Sequence, residues 1–248
     1  MNVVKVVFKP KIKNIDDFKV SLLLADFFNA LCSNGQIHEG YAVIKADDSF
    51  SAVITVIGED SLNEKHYSEY VRKYKKEIEL LYEIEFEIIG ENVYSDENYC
   101  SCENKTGYIL FSTFNNSGSP IRCIDCWRDV PLYRLPLIQG QKDYHGEILW
   151  AHYFMKSVDT LETYGWAAKW AKKQLTNPNS EVSKEGRGIC ADFEKVTGKP
   201  FYYLLIAENG KSRLRGKCPI CGEQWREFNS AGSVILCLCD KCRLALDN

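Results

Sequence analysis

The residues in this chain whose types and spacing could do chemistry are its cysteines. Nine of the eleven fall into two groups, and the C-terminal group reads Cys218-Pro-Ile-Cys221-Gly, then Cys237-Leu-Cys239-Asp-Lys-Cys242. A Cys-x-x-Cys turn lets backbone N–H groups point at the sulfurs, and a following glycine permits a tight turn. Thiolates are soft ligands, and four of them close a tetrahedral shell. This spacing therefore predicts a zinc ribbon.

Five thiols compete for the four places in this C-terminal site. We expect Cys218, Cys221, Cys239 and Cys242 as ligands. Cys237 is expected to pack within the preceding strand. The alternative is that Cys237 takes the place of Cys239 as a ligand. Clustered thiols in a reducing compartment more often bind metal than form disulfides.

A second cysteine group lies upstream and reads Cys100-Ser-Cys102, then Cys123-Ile-Asp-Cys126. Its first half has a less common spacing, and a hairpin-like stretch separates the halves. The pattern predicts a second zinc ribbon, with a disulfide across the pairs or a site without metal as alternatives. Iron–sulfur clusters also use four thiolates, but ribbon-like hairpins favour zinc. We expect two structural zinc ions, whose closed shells leave no position for activating water.

The elements upstream of both sites alternate between strands and helices. Strands are predicted at Val3–Phe8, Tyr41–Lys45, Ser51–Val56 and Tyr82–Ile89. A helix opened by Asp16 or Asp17 ends near Asn34, and an amphipathic helix covers Leu62–Leu81. The order β-α-β-β-α-β is that of a ferredoxin-like fold.

The whole chain is predicted to be an α+β protein of two domains. Residues 1–98 form the ferredoxin-like domain, and residues 99–248 form a domain in which two zinc ribbons bracket a helical insert at 146–196. Two prolines keep Val130–Pro136 extended, which predicts a strap from the first ribbon to the insert.

Charge is distributed unevenly along the chain. The net charge is −3, but residues 1–99 carry 11 basic against 18 acidic residues, whereas residues 211–248 carry 7 against 4. Candidate contacts to phosphate or to a partner are Arg122, Arg128, Arg213 and Arg215. The competing interpretation is a charge-balanced, solvated rim around the ribbons, because a dedicated nucleic-acid binder usually has a clearly basic face.

Catalysis is not expected from these residues. Cys190 could be imagined as a nucleophile with His145 or His152 as base, but no catalytic signature surrounds it, and an inert buried cysteine is the commoner case. The chain begins with alternating apolar and polar residues instead of a signal peptide, and it has no apolar stretch of membrane-spanning length. A cytoplasmic protein without an evident small-molecule substrate is the expectation.

Several blocks between Cys100 and Leu244 resemble an uncharacterised bacterial family, described as containing zinc ribbons and as a candidate for nucleic-acid binding. The blocks are Cys100-Ser-Cys102-Glu, Ser119-Pro-Ile-Arg-Cys123-Ile-Asp-Cys126, Val130-Pro-Leu-Tyr-Arg-Leu-Pro136, Gly186-Arg-Gly-Ile-Cys-Ala-Asp-Phe-Glu194, Thr197-Gly-Lys-Pro-Phe-Tyr-Tyr-Leu204 and Cys239-Asp-Lys-Cys242-Arg-Leu. The resemblance implies zinc at the eight matching cysteines.

Two functional hypotheses follow, and neither is an enzyme. The first is an intracellular adaptor or regulator, touching nucleic acid as the description of that family suggests. The alternative is an inhibitor that binds another protein, such as an immunity protein that neutralises a bacterial toxin. Its motivation is the acidic first domain, since charge complementarity speeds association with basic active sites.

Overall fold

The computed structural model describes residues 1–12, 15–93, 99–113, 119–206, 216–230 and 234–247. The chain divides into two compact units. The first comprises Met1–Glu97 and Pro131–His145, and the second comprises Asn98–Val130 and Gly146–Asn248. Each unit has its own sheet, and together they make a mixed α and β protein.

The first unit is built on a four-stranded sheet and two helices. In chain order the elements are β1 (Asn2–Pro10), α1 (Asp17–Ser33), β2 (Ala42–Ala46), β3 (Ser49–Thr55), α2 (Glu69–Glu79) and β4 (Tyr82–Glu91). The strands lie in the order β2-β3-β1-β4, and each neighbouring pair is antiparallel. All six elements were predicted, although their bounds differ.

The helix starts follow from capping side chains. The Asp16 carboxylate accepts hydrogen bonds from the backbone N–H groups of Phe18 and Lys19 and begins α1 where it was expected. α2 is shorter than predicted: the Ser68 hydroxyl accepts from the Val71 N–H at 3.2 Å, so this helix begins at Glu69. A short 3₁₀ turn and loop replace the earlier residues of the predicted helix.

Residues Pro131–His145 belong to the first unit, although the predicted boundary assigned them to the second. The Tyr133 hydroxyl and the Arg134 guanidinium each donate to one Asp60 oxygen at 2.6 Å. His66 lies 3.1 Å from the other Asp60 oxygen, and its ring packs edge-on against Tyr133. The contacts of Tyr133 and Arg134, over 70 residues from Asp60 in sequence, hold this segment on the first unit. Its residues Leu132–Arg134 form a 3₁₀ turn, whereas the sequence predicted an extended strap.

The second unit is built on a six-stranded sheet. Its strands are β5 (Tyr108–Leu110), β6 (Ile121–Cys123), β7 (Phe201–Leu205), β8 (Arg226–Ser230), β9 (Val234–Cys239) and β10 (Leu244–Asp247). Their order is β6-β5-β7-β10-β9-β8, with β7 parallel to both β5 and β10. The strands of the two cysteine groups therefore share one sheet.

Helices occupy the part of the second unit that was predicted as a helical insert. They are α3 (His145–Leu149), whose first residue belongs to the first unit, a π-helical stretch (Trp150–Met155), α4 (Lys156–Thr163), α5 (Ala168–Thr176) and α6 (Glu181–Thr197). The Ser180 hydroxyl caps α6, and Gly198 ends it with φ +66°. None of the helices in the described ranges combines the length and the hydrophobicity that a membrane span requires.

Candidate metal centres

The C-terminal cysteine set consists of Cys218, Cys221, Cys239 and Cys242. Their four sulfur atoms lie within 4.8 Å of one another, and the Cys221 and Cys239 sulfurs are 3.5 Å apart. Four sulfurs around a tetrahedral zinc ion, each about 2.3 Å from it, stand about 3.8 Å apart. The spacing of this set therefore fits such an ion.

Cys237 lies outside this group of sulfurs. It sits within β9, opposite Glu227 on β8 and Leu246 on β10. Burial, with a smaller contribution from Glu227, raises the pKa of its thiol. Cys239 ends the strand and turns toward the other three members. The geometry thus favours the predicted ligand over its neighbour.

The upstream cysteine set consists of Cys100, Cys102, Cys123 and Cys126. Its four sulfur atoms also lie within 4.8 Å of one another, with two of the residues buried and two half-buried. The Cys100 N–H donates to the Asp129 carbonyl at 2.8 Å, which brings the Cys-x-Cys half onto the other half. All eleven cysteines are free thiols, so the structure does not have the alternative disulfide.

Three Cys-x-x-Cys turns in the two sets share one backbone geometry. The residue after the second cysteine has a left-handed conformation: φ is +58° at Trp127, +73° at Gly222 and +51° at Arg243. The Trp127 N–H donates to the Cys123 carbonyl at 2.9 Å, and the Gly222 N–H donates to the Cys218 carbonyl at the same distance. All three turns therefore share the left-handed residue, although only one has the expected glycine.

Backbone N–H groups in these turns point at sulfur. The Cys242 N–H lies 3.4 Å from the Cys239 sulfur. The Asp125 and Cys126 N–H groups donate to the Cys123 sulfur, and the Glu223 N–H donates to the Cys221 sulfur. Such donors stabilise the negative charge that a thiolate ligand carries.

The thiols of each set lie close enough to change one another's pKa. A hydrogen bond with Cys100 lowers the pKa of Cys123 to about 6, and the same bond raises the pKa of Cys100. In the C-terminal set, burial raises the pKa of Cys239 to about 11. A bound cation would favour the thiolate form at such a site, because metal binding displaces the thiol protons.

Both sets lie at the same end of the six-stranded sheet. Cys123 ends β6 opposite Tyr108, the first residue of β5, and Cys239 ends β9 opposite Leu244, the first residue of β10. The central strands β5, β7 and β10 all start at this end, because they run parallel. The cysteine turns therefore flank one row of strand starts.

Charged contacts hold the last cysteine turn in place. Arg226 on β8 donates to both oxygens of Asp240 at 2.9 Å, and the Tyr202 hydroxyl donates to the same carboxylate. The hydrogen bonds from Arg226 hold the pKa of Asp240 at about 2. Arg243 forms a two-pronged ion pair with Glu194 on α6 at 2.6 and 2.8 Å. Neighbouring elements thus fix the orientation of this turn.

A side-chain contact that sequence reasoning missed fixes the upstream set. The Asp125 carboxylate, between the two cysteines of the turn, accepts from the Thr106 N–H at 2.8 Å and from its hydroxyl. The Lys105 ammonium donates to the Cys102 carbonyl at 2.6 Å. An aspartate inside a Cys-x-x-Cys turn was the available signal, because Asp readily accepts from loop N–H groups.

The four arginines predicted to contact phosphate or a partner differ in their surroundings. Arg122 lies over the rings of Phe111 and Trp127, at 5.7 and 5.5 Å, and 3.5 Å from an Asp129 oxygen. Arg128 is exposed. The other two candidates, Arg213 and Arg215, lie outside the described residues. Arg122 therefore contributes to packing beside the upstream set, and Arg128 stays a candidate contact.

Cys190, the residue considered as a nucleophile, lies in the core of the second unit. Cys190 on α6 is fully buried, and this burial raises the pKa of its thiol well above the ordinary value. His145 belongs to the first unit and lies 3.4 Å from the Ser33 hydroxyl. A buried neutral thiol is a poor nucleophile.

A family model matches residues 102–206, and its description is a domain of unknown function (DUF2310). This span includes three cysteines of the upstream set and ends before the C-terminal set. Two proteins of Haemophilus influenzae, each described as an uncharacterized protein, are 27% identical over 165 residues. The alignments cover 64% of this chain, with 79% of one relative and 61% of the other. The chain thus spans less than two thirds of the second relative.

Among solved structures, SnoaB, a cofactor-independent oxygenase from Streptomyces nogalater, matches 38% of this chain and 100% of its own. The identity is 10% and the TM-score is 0.30, a level at which the likeness says nothing about fold or activity. These comparisons support the part of the predicted resemblance that concerns uncharacterised bacterial proteins. They do not support nucleic-acid binding. Residues 102–206 are therefore similar to a domain whose function is not known.

Proposed function

We propose that this chain is a non-catalytic binding protein whose second unit is stabilised by two structural zinc ions. The observation that carries the proposal is the gathering of eight thiols into two sets of four, each within 4.8 Å. Each zinc ion would cross-link two short cysteine segments that are separated in sequence by two strands. The chain's own N–H groups would orient and stabilise the sulfurs.

Zinc is favoured over iron because each set joins short turns at strand ends. The left-handed residue after each Cys-x-x-Cys pair and the N–H groups aimed at sulfur suit a zinc ribbon. Four thiolates would fill the coordination shell and leave no position where a metal could activate water. This closed arrangement supports a structural role and an absence of catalysis at either site.

We further propose that the first unit has a ferredoxin-like fold. Its strand order β2-β3-β1-β4 and its antiparallel pairs support this proposal. The helices α1 and α2 follow β1 and β3, as the split β-α-β arrangement requires. We also place the protein in the cytoplasm, which suits eleven free thiols.

A protein partner is favoured over a nucleic acid by the charges that the structure describes. Near the C-terminal set, Arg226 pairs with Asp240 and Lys241 pairs with Glu223, so both basic groups are already neutralised. The segment 1–99 carries seven more acidic than basic residues. An adaptor or an inhibitor of a basic protein, including the immunity-protein hypothesis, suits this distribution better than a phosphate-binding surface does.

Metal analysis of natively purified protein tests the proposal. We expect two zinc ions per chain and eight thiols that react with a thiol reagent only after a chelator has removed the metal. Less than about one zinc per chain, or a predominance of iron, would remove it. Retention of DNA or RNA at near-physiological salt, absent at higher salt, would restore the nucleic-acid hypothesis.

A further inference from the structure

The strand β4, one of the two edge strands of the first unit's sheet, has a long run of backbone at the sheet edge. It spans Tyr82–Glu91 and pairs with β1 along one side, and no other strand in the described parts of the chain pairs with it. A bulge, where the register shifts between Val3 and Val4, interrupts the regular pairing near Ile89. The regular edge therefore runs from Tyr82 to Ile88. An edge of this length is a template for another strand.

One face of β4 is apolar and incompletely covered. Phe86 and Ile88 lie beside Val6 and Val4 of β1 in the register. The two valines are buried, at 0% and 3% exposure, whereas Phe86 is 40% and Ile88 is 67% exposed. The helices that bury β1 thus leave the outer part of β4 open. This apolar row could be covered by side chains of an added strand.

The opposite face of the same strand is acidic. Glu83, Glu85 and Glu87 alternate with the apolar residues, and all three are exposed. Lys9 of β1 pairs with Glu85 at 2.5 Å, and Lys5 lies beside Glu87 in the register. Within the described sheet the three glutamates face only these two lysines, so this face of β4 keeps a surplus of one negative charge.

This charge pattern opposes pairing between two copies of the chain. Antiparallel pairing of β4 with itself, with the apolar faces on one side, would place Glu85 opposite Glu85 and Glu83 opposite Glu87. Like charges directly opposite each other destabilise a strand pair. A strand with arginine or lysine at alternate positions would instead place a basic side chain opposite each glutamate, with its apolar residues against Phe86 and Ile88.

We propose that the edge Tyr82–Ile88 binds an extended, basic and apolar segment of a partner protein, which adds to the sheet as a fifth strand. This inference rests on the proposed function as a binding protein and names the chemistry of its partner. Main-chain hydrogen bonds would supply affinity, and the alternating glutamates would select the register and the charge of the segment.

A labelled short peptide in which arginine and valine alternate tests the inference on the full zinc-loaded chain. We expect saturable binding, measured by fluorescence anisotropy. A peptide of the same composition with its arginines in one block should bind at least about tenfold more weakly. The alternating peptide with methylated backbone nitrogens on alternate residues should also lose binding, because methyl groups block strand pairing. Equal binding of all three peptides would overturn strand addition.

Variants place the site on β4. The pair Glu85→Lys and Glu87→Lys should weaken binding of the alternating peptide by about tenfold or more. The matched control is Glu39→Lys with Glu59→Lys, an equal change in charge at exposed residues outside β4, and it should change binding less than about twofold. A loss of equal size in both pairs would show charge attraction without a site and would overturn the proposal.

The same samples separate failure of this inference from failure of the proposed function. Zinc content measured on each preparation reports the metal centres independently of the peptide. Two zinc ions without peptide binding would overturn the strand-addition site alone. Concentration-dependent dimers of the parent chain in sedimentation that tighten in the Glu85→Lys and Glu87→Lys variant, where the new lysine at position 87 would face Glu83 of the other copy, would assign the edge to a second copy, contrary to the proposal.

Discussion

Two cysteines on β9 differ in their expected role although they are two residues apart. Cys239 joins the C-terminal set, whereas Cys237 lies between Glu227 and Leu246 on the neighbouring strands. We predict that Cys239→Ser lowers the zinc content from two ions per chain to one, since three thiolates leave the shell incomplete. Cys237→Ser should keep both ions. Native mass spectrometry counts them.

Comparison of the two variants shows which of the two cysteines binds zinc. Each substitution replaces one sulfur atom by oxygen on the same strand. A general effect of serine on β9 would therefore appear in both variants. Loss of zinc from the Cys237→Ser variant alone would show that the ligands are exchanged relative to the geometry described above.

Asp60 joins the segment Pro131–His145 to the rest of the first unit through its hydrogen bonds. Burial alone would raise its pKa, but hydrogen bonds from Tyr133, Arg134 and His66 outweigh burial and hold the pKa well below the ordinary value. A lowered pKa means that the charged carboxylate stabilises the fold above pH 4 or so and loses this effect as the pH falls. We predict that Asp60→Asn lowers the stability of the first unit by about 1 kcal/mol at neutral pH.

The pH dependence distinguishes this effect from a packing defect. The stability difference between Asp60→Asn and the parent chain, measured by denaturant unfolding, should shrink as the pH falls below about 4. Asp26→Asn, at an exposed position on α1, should change stability by less than about 0.5 kcal/mol. A difference for Asp60→Asn that stays constant with pH would contradict the electrostatic explanation.

At the scale of elements, the cysteine turns show what a pattern can and cannot predict. The Cys-x-x-Cys-Gly string predicted the turn at Gly222, because glycine tolerates a positive φ. The equivalent positions hold Trp127 and Arg243, which gain other contacts: an arginine against the indole ring in one case, and the ion pair with Glu194 in the other. Those compensating contacts come from distant residues and could not be inferred from the turn sequence.

Gly222→Ala tests the backbone requirement of the turn. An alanine in the left-handed conformation costs about 1–2 kcal/mol, so we predict weaker retention of one zinc ion in competition with a chelator. The control is Gly188→Ala on α6, where an added methyl group meets nothing within 4 Å and should favour the helix. Unchanged retention in Gly222→Ala, or an equal loss in both variants, would contradict this account of the turn.

Local signals predicted some elements well and others poorly. The start of α1 was predicted by Asp16 and its end by the sequence around Asn34. The predicted Leu62–Leu81 helix begins instead at Glu69, because Ser68 offers a cap inside the apolar pattern. The predicted helical insert at 146–196 consists of several helices, with a π-helical stretch and turns between them. Periodicity alone does not indicate such breaks.

At the scale of the molecule, the two units have separate sources of stability. The core of the first unit is formed by buried residues between Val4 and Tyr82 and includes no member of either cysteine set. We predict that chelation removes the protection of β5–β10 from hydrogen exchange while β1–β4 stay protected. Mass spectrometry of peptide fragments measures both, with zinc re-addition as the control. Parallel loss of protection in both sheets would contradict this prediction.

Long-range connections are the part of the whole fold that the sequence did not predict. The parallel pairing of β7 with β5 and β10 joins both cysteine groups in one sheet, whereas two separate ribbons were expected. Likewise, the return of Pro131–His145 to the first unit depends on Asp60, over 70 residues away. A single sequence carries the local pattern of each partner but not the pairing between them. The grouping of eight cysteines into two sets of four was predicted, because Cys-x-x-Cys pairs of the kind that bind metal have short, fixed spacings.

The proposed function requires two zinc ions, each held by four thiolates. X-ray absorption at the zinc edge of the purified chain tests it most directly, because it reports the atoms bound to the metal. We expect about four sulfur neighbours at about 2.3 Å for each zinc ion, with no nitrogen or oxygen neighbour. A spectrum that requires a nitrogen or oxygen ligand, and with it an open or mixed site, would contradict the claim.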